Sequence, residues 1–148
     1  MGNLPWSTTD ENKLRAAAHL FRQRPKLIGV TVLTSMSDED LGELGCEETV
    51  AQHVQRLAAL AEDSGLDGVV CSALEAETLR SSRGAGFCLV TPGIRLAGDS
   101  AGDQRRVVDP AQAIALGSDY LVIGRSITAA ADPMAALERV QDSLKAVA

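Results

Sequence analysis

Short apolar runs alternate with amphipathic stretches along most of the chain, and that alternation predicts repeated strand–helix units. Leu27-Ile28-Gly29-Val30-Thr31-Val32-Leu33-Thr34 is nearly continuous in apolar and β-branched residues, as in a strand buried on both faces of a parallel sheet. Asp67–Cys71, Phe87–Val90 and Tyr120–Ile123 repeat the pattern. Between them, a helix near Glu47–Asp63 carries Val50, Val54, Leu57, Ala58 and Leu60 on one side and ends at Gly65. A second helix near Ala73–Ser81 carries Leu74, Ala76 and Leu79, and a third, Ala111–Leu116, is entered through Asp109-Pro110. Asp132-Pro133 opens a last amphipathic helix through Leu137, Val140 and Leu144. A leading helix, capped within Ser7–Asp10, is expected through Leu14, Ala17, Ala18 and Phe21, with Pro25 as its stop. The expectation is an α/β fold: βα units around a parallel sheet as a single domain over residues 13–148, after an irregular polar segment, residues 1–12.

Composition narrows the class. The chain has 148 residues, 45% of them hydrophobic, with a net charge of −6, enough to fold around one core and too apolar for a disordered chain. No apolar run approaches the ~20 residues of a membrane span, no leader for export is recognisable, and the acidic balance disfavours a nucleic-acid partner. Cys46, Cys71 and Cys88 are odd in number and widely spaced, fitting neither a disulfide framework nor a zinc site, so buried thiols in a reducing cytoplasm are expected. His19 and His53 are too few for a histidine-rich metal site, and no metal is expected.

In parallel α/β architectures, ligands gather at the carboxyl ends of the strands. Those ends read Thr34-Ser35-Met36, Ser72-Ala73, Pro92-Gly93-Ile94-Arg95 and Gly124-Arg125-Ser126. Glycine beside arginine suits an anion, since glycine lets a phosphate approach the backbone and guanidinium can hold two oxygens. The competing reading of Gly124-Arg125 is a tight turn with a solvated arginine, and Arg95 carries the same ambiguity. Thr34 and Ser35 donate to a polar ligand or cap the next turn, and Gln104 lies in a long polar loop that closes over a ligand or is merely solvated. The neighbouring Arg105-Arg106 pair is balanced by Asp99, Asp103 and Asp109 and forms no basic patch. Lys13, Lys26 and Lys145 all fall away from the strand ends, His19 and His53 fall inside helices, and Cys71 has no histidine nearby in sequence to activate it. No residue of the chain is expected to be catalytic.

Taken with Gly65-Leu66-Asp67-Gly68-Val69-Val70-Cys71-Ser72-Ala73, Leu89-Val90-Thr91-Pro92-Gly93-Ile94-Arg95, Asp103-Gln104-Arg105-Arg106 and Gly117–Thr128, the run Leu27–Met36 resembles the orotidine 5′-phosphate decarboxylases, in order and spacing, from about Pro25 onward. The resemblance covers strands five to eight of that family's (β/α)8 barrel, and so implies a half-barrel of four βα units behind a leading helix. It implies decarboxylation of orotidine 5′-monophosphate to UMP, a step of pyrimidine biosynthesis carried out by a carboxy-lyase without metal or organic cofactor. By resemblance Arg125 and the Gly124 backbone clamp the phosphate, Arg95 and Gln104 assist them, and Thr34 lies near the pyrimidine. The family's proton-donating lysine lies in an Asp-x-Lys-x-x-Asp motif that this sequence does not contain. The chain alone is therefore expected to be inactive, binding a nucleotide monophosphate and pairing with a second copy or with a complementing N-terminal half. The alternative is a non-catalytic half-barrel that binds phosphate or associates with itself; another phosphate-binding barrel of the superfamily fits the Thr-Pro-Gly-Ile-Arg run less well.

Overall fold

A computed structural model describes residues 25–32, 34–96 and 106–145. The expected leading helix, the segment 1–12 and Gln104 lie outside the described residues. Four strands, β1 (Ile28–Val30), β2 (Gly68–Val70), β3 (Cys88–Thr91) and β4 (Tyr120–Leu121), form one parallel sheet in the order β1-β2-β3-β4. The helices are α1 (Asp38–Glu43), α2 (Val50–Asp63), α3 (Ala73–Arg83), α4 (Pro110–Ala115), α5 (Arg125–Thr128) and α6 (Pro133–Lys145). The expected strand–helix alternation is therefore present, with α1 and α5 as additions.

Helix starts follow local chemistry. Ser37, Thr49 and Ser72 each accept a backbone N–H in the first turn, while Asp40, Gln52 and Glu75 reach back to the cap residue's own N–H. Asp109 caps α4 through the Gln112 N–H at 2.9 Å, and Asp132 accepts the N–H groups of Met134 and Ala135 at 3.0 Å. The acidic first turn of α1 faces the positive end of the helix dipole, and Asp38 also accepts the Val50 N–H at 2.6 Å, tying α1 to the start of α2.

At the amino-terminal ends of the strands one device occurs twice. Gly65 and Gly117, with φ of +79° and +102°, turn the chain out of α2 and α4, and an aspartate follows two residues later. Asp67 accepts the Leu27 N–H at 2.6 Å and Asp119 accepts the Leu89 N–H at 2.7 Å, so each carboxylate stitches its strand to the one before.

The helices cover one face of the sheet. Val69 and Leu89 are buried there with Val54, Ala58, Leu79 and Phe87, and a second cluster joins Ile94, Val108, Ala113 and Ala73. The register aligns Val30, Val70, Val90 and Tyr120 in one row, which strand alternation directs to the opposite face. The two ends of that row are exposed, Val30 at 63% and Tyr120 at 55%, while Val70 and Val90 between them are half-buried. A first strand buried on both faces was expected; β1 is instead a three-residue edge strand with no neighbour beyond it among the described residues. The cysteine expectation is corrected at one position, since Cys71 and Cys88 are buried while Cys46 is half-buried.

Candidate functional site

Parallel strands bring the segments that follow them to one end of the sheet. Thr34 follows β1, Arg95 follows β3, and Gly124-Arg125 follows β4, so the four described candidates share the carboxyl end. Thr34 is buried. Arg95 is only 8% exposed; its backbone N–H donates to the Val108 carbonyl at 3.1 Å, and its Nη1 to the Ile94 carbonyl at 2.9 Å. Its segment is thus fixed by the Ile94–Val108 bridge.

Gly124 and Arg125 are exposed. Gly124 opens α5, its carbonyl accepting the N–H groups of Ile127 and Thr128 at 2.9 and 3.0 Å. The next backbone N–H groups are the ones a helix start leaves without intrahelical partners. A Cβ built on Gly124 would meet nothing within 4 Å, so the space beside this backbone is open, as close approach by an anion requires. Ser126, the next residue but one, is buried, and its Oγ has no hydrogen-bond partner.

Sequence reading missed one constellation at this end. Glu75, on the first turn of α3, is buried; its Oε2 accepts the Ser72 N–H at 2.9 Å and its Oε1 accepts Arg106 Nη1. Arg106 Nη2 lies 3.5 Å from the Val32 carbonyl oxygen. Arg106 thus has a partner 31 residues away, which no local charge pattern discloses; of the aspartates expected to balance the Arg105-Arg106 pair, Asp99 and Asp103 lie outside the described residues. Burial pushes the Glu75 carboxyl up, and the Arg106 guanidinium and the Ser72 N–H pull it back down.

Cys71, the thiol at the end of β2, sits in the core, and burial together with the Glu75 charge pushes its pKa up to about 12. A thiol so disfavoured as thiolate is a packing group. Among the described residues no group of histidine, cysteine and carboxylate side chains is arranged to hold a metal ion, and no helix is long and apolar enough to cross a membrane.

Residues 7–140 match the family described as "Orotidine 5′-phosphate decarboxylase / HUMPS family". The chain belongs to that family. It is 63% identical over 123 residues to the orotidine 5′-phosphate decarboxylase of Shewanella sediminis, covering 83% of this chain and 53% of the relative. The corresponding enzyme of Laribacter hongkongensis is 64% identical over 123 residues, with 83% and 50% covered. Among solved structures, orotidine 5′-phosphate decarboxylase from Lactobacillus acidophilus superposes with a TM-score of 0.68 at 42% identity, covering 82% of this chain and 50% of that one. The chain thus spans about half the length of the relatives it matches, and its four parallel strands form a half-barrel of the orotidine 5′-phosphate decarboxylase fold.

Proposed function

We propose that this chain supplies the phosphate-gripping half of an orotidine 5′-phosphate decarboxylase site and turns over no substrate by itself. The observation that carries this reading is the shared placement of Gly124-Arg125, Arg95 and Thr34 at the carboxyl end of one parallel sheet, in a member of this family. Arg125 and the open backbone at Gly124 clamp the 5′-phosphate of the nucleotide monophosphate. Arg95 and Gln104 add further donors, and Thr34 offers its hydroxyl toward the pyrimidine. In the reaction the bond from the ring carbon to the carboxylate breaks, CO2 leaves, and the remaining electron pair takes a proton. A lysine among aspartates supplies that proton in the family, and no Asp-x-Lys-x-x-Asp run occurs in this sequence. The contribution of this chain is binding energy remote from the reacting carbon, which drives closure and distortion at the ring. No metal or organic cofactor enters the scheme.

The deciding experiment follows orotidine 5′-monophosphate by absorbance with the pure chain, and then after adding the N-terminal half of a relative. The expected result is no turnover alone and turnover on complementation, abolished by Arg125→Ala. Robust turnover by the chain alone overturns the reading.

A second reading, self-association, is favoured by the exposed Val30 and Tyr120 at the two ends of the Val30–Val70–Val90–Tyr120 row and by β1 and β4, which have no outer neighbour among the described residues. Two copies have the strands for an eight-strand barrel. Size-exclusion chromatography is expected to give a dimer or larger species, and a monomer that leaves an apolar dye unbound removes this reading.

A further inference from the structure

The carboxyl end of the sheet holds a buried ion pair that the phosphate grip does not use. Glu75 and Arg106 have side chains only 10% and 14% exposed. Replacing such a pair with apolar groups is often neutral or stabilising, so its presence is weak evidence of a stabilising role and directs attention to orientation. Arg106 is two residues before Val108, whose carbonyl receives the Arg95 N–H and which bridges Ile94. Glu75 is itself fixed by the Ser72 N–H at the end of β2. A continuous path of bonds therefore runs from β2 through Glu75 and Arg106 to the short segment backing Arg95.

We propose that Glu75 is a positioning residue for Arg95: through Arg106 it seats residues 106–108 as the backing strand that aligns Ile94 and Arg95. The alignment is local geometry, and its consequence for ligand binding rests on the reading of Arg95 as a phosphate ligand. Glu75→Gln keeps the shape and the Ser72 bond but removes the charge that holds Arg106. Arg106→Lys keeps the charge but loses the fork that spans Glu75 and Val32.

The test is amide hydrogen exchange followed by NMR on the full chain, with the Leu89 N–H, bonded to Asp119 at the other end of the sheet, as internal reference. Glu75→Gln is expected to speed exchange at Arg95 about tenfold while leaving Leu89 nearly unchanged, with Arg106→Lys acting in the same direction. Unchanged exchange at Arg95, or equal acceleration at Arg95 and Leu89 in both variants, overturns the proposal. In a parallel titration with UMP, Glu75→Gln is expected to weaken binding about tenfold; wild-type affinity in that variant together with accelerated exchange at Arg95 removes the phosphate reading of Arg95 and leaves the positioning role standing. If the wild-type chain shows no UMP response, the phosphate reading of Arg95 fails, and the exchange comparison still decides the positioning role.

Discussion

Asp119 and Arg80 meet at 2.7 Å on the end of the sheet opposite the candidate site, and the same carboxylate oxygen also accepts the Leu89 N–H at 2.7 Å. Arg80 extends further, donating to the carbonyls of Gly84 and Phe87 at 2.9 Å and of Gly117 at 2.7 Å. One side chain thus clips the ends of α3 and α4 to the starts of β3 and β4. Arg80→Ala strands several of these acceptors and is expected to lower unfolding stability by about 2–4 kcal/mol in urea titrations. Conservation of UMP affinity in the same variant is expected, because the clip lies at the end of the sheet that supports the fold.

Gly68 marks the tightest approach in the sheet. A Cβ there would lie 2.0 Å from the Cys88 carbonyl oxygen and 2.6 Å from the Cys88 Cβ, with backbone on the receiving side. Gly68→Ala is expected to cost about 3 kcal/mol or more, or to prevent folding. Gly42, inside α1, has open space around it, and Gly42→Ala is expected to stabilise by about 0.5–1 kcal/mol. Thermal melts of the two variants should move in opposite directions.

The three thiols differ in reactivity. Cys71 has its pKa pushed up to about 12 and Cys88 is raised by burial, whereas Cys46 is half-buried. Iodoacetamide near neutral pH should label Cys46 first, with Cys71 and Cys88 reacting only on unfolding, as peptide mass mapping will show. Early labelling of Cys71 contradicts its placement in the core.

Glu48 gives a pH dependence with a definite sign. Hydrogen bonds from Arg56 and from His53 hold its carboxyl below its ordinary 4.5. A carboxyl depressed in the fold favours the fold while ionised, so its contribution is present above 4.5 and is lost as pH falls through the lowered value. Glu48→Gln should therefore flatten the acid limb of the stability–pH curve, measured by denaturant titration across that range. The effect is small because the group is exposed.

Strand and helix positions were legible because their signals are local. The β-branched runs, Asp109-Pro110, Asp132-Pro133 and the glycine at the end of α2 each act within a few residues. Strand extent was not: among the described residues of the run Leu27–Thr34, only Ile28–Val30 form the strand, with Val32 in a bend and Thr34 in a turn, where it is buried. The helix α1 has no apolar periodicity to announce it: its signal is a capping box at Ser37 and Asp40 with one buried residue, Leu41. At the candidate site, Arg95 and the pair Gly124-Arg125 were readable as arginines with a glycine one or two residues before them at strand ends. The Glu75–Arg106 pair was not, since its partners meet only once the sheet has formed.

The sheet order has a consequence for how the chain acquires its structure. Among the described residues, every strand pairs with the next one in sequence. During synthesis β1 and β2 can dock before β4 has left the ribosome, and each later strand finds a finished edge to add to. This order permits successive growth from β1 towards β4, with the row Val30–Val70–Val90–Tyr120 completed one strand at a time.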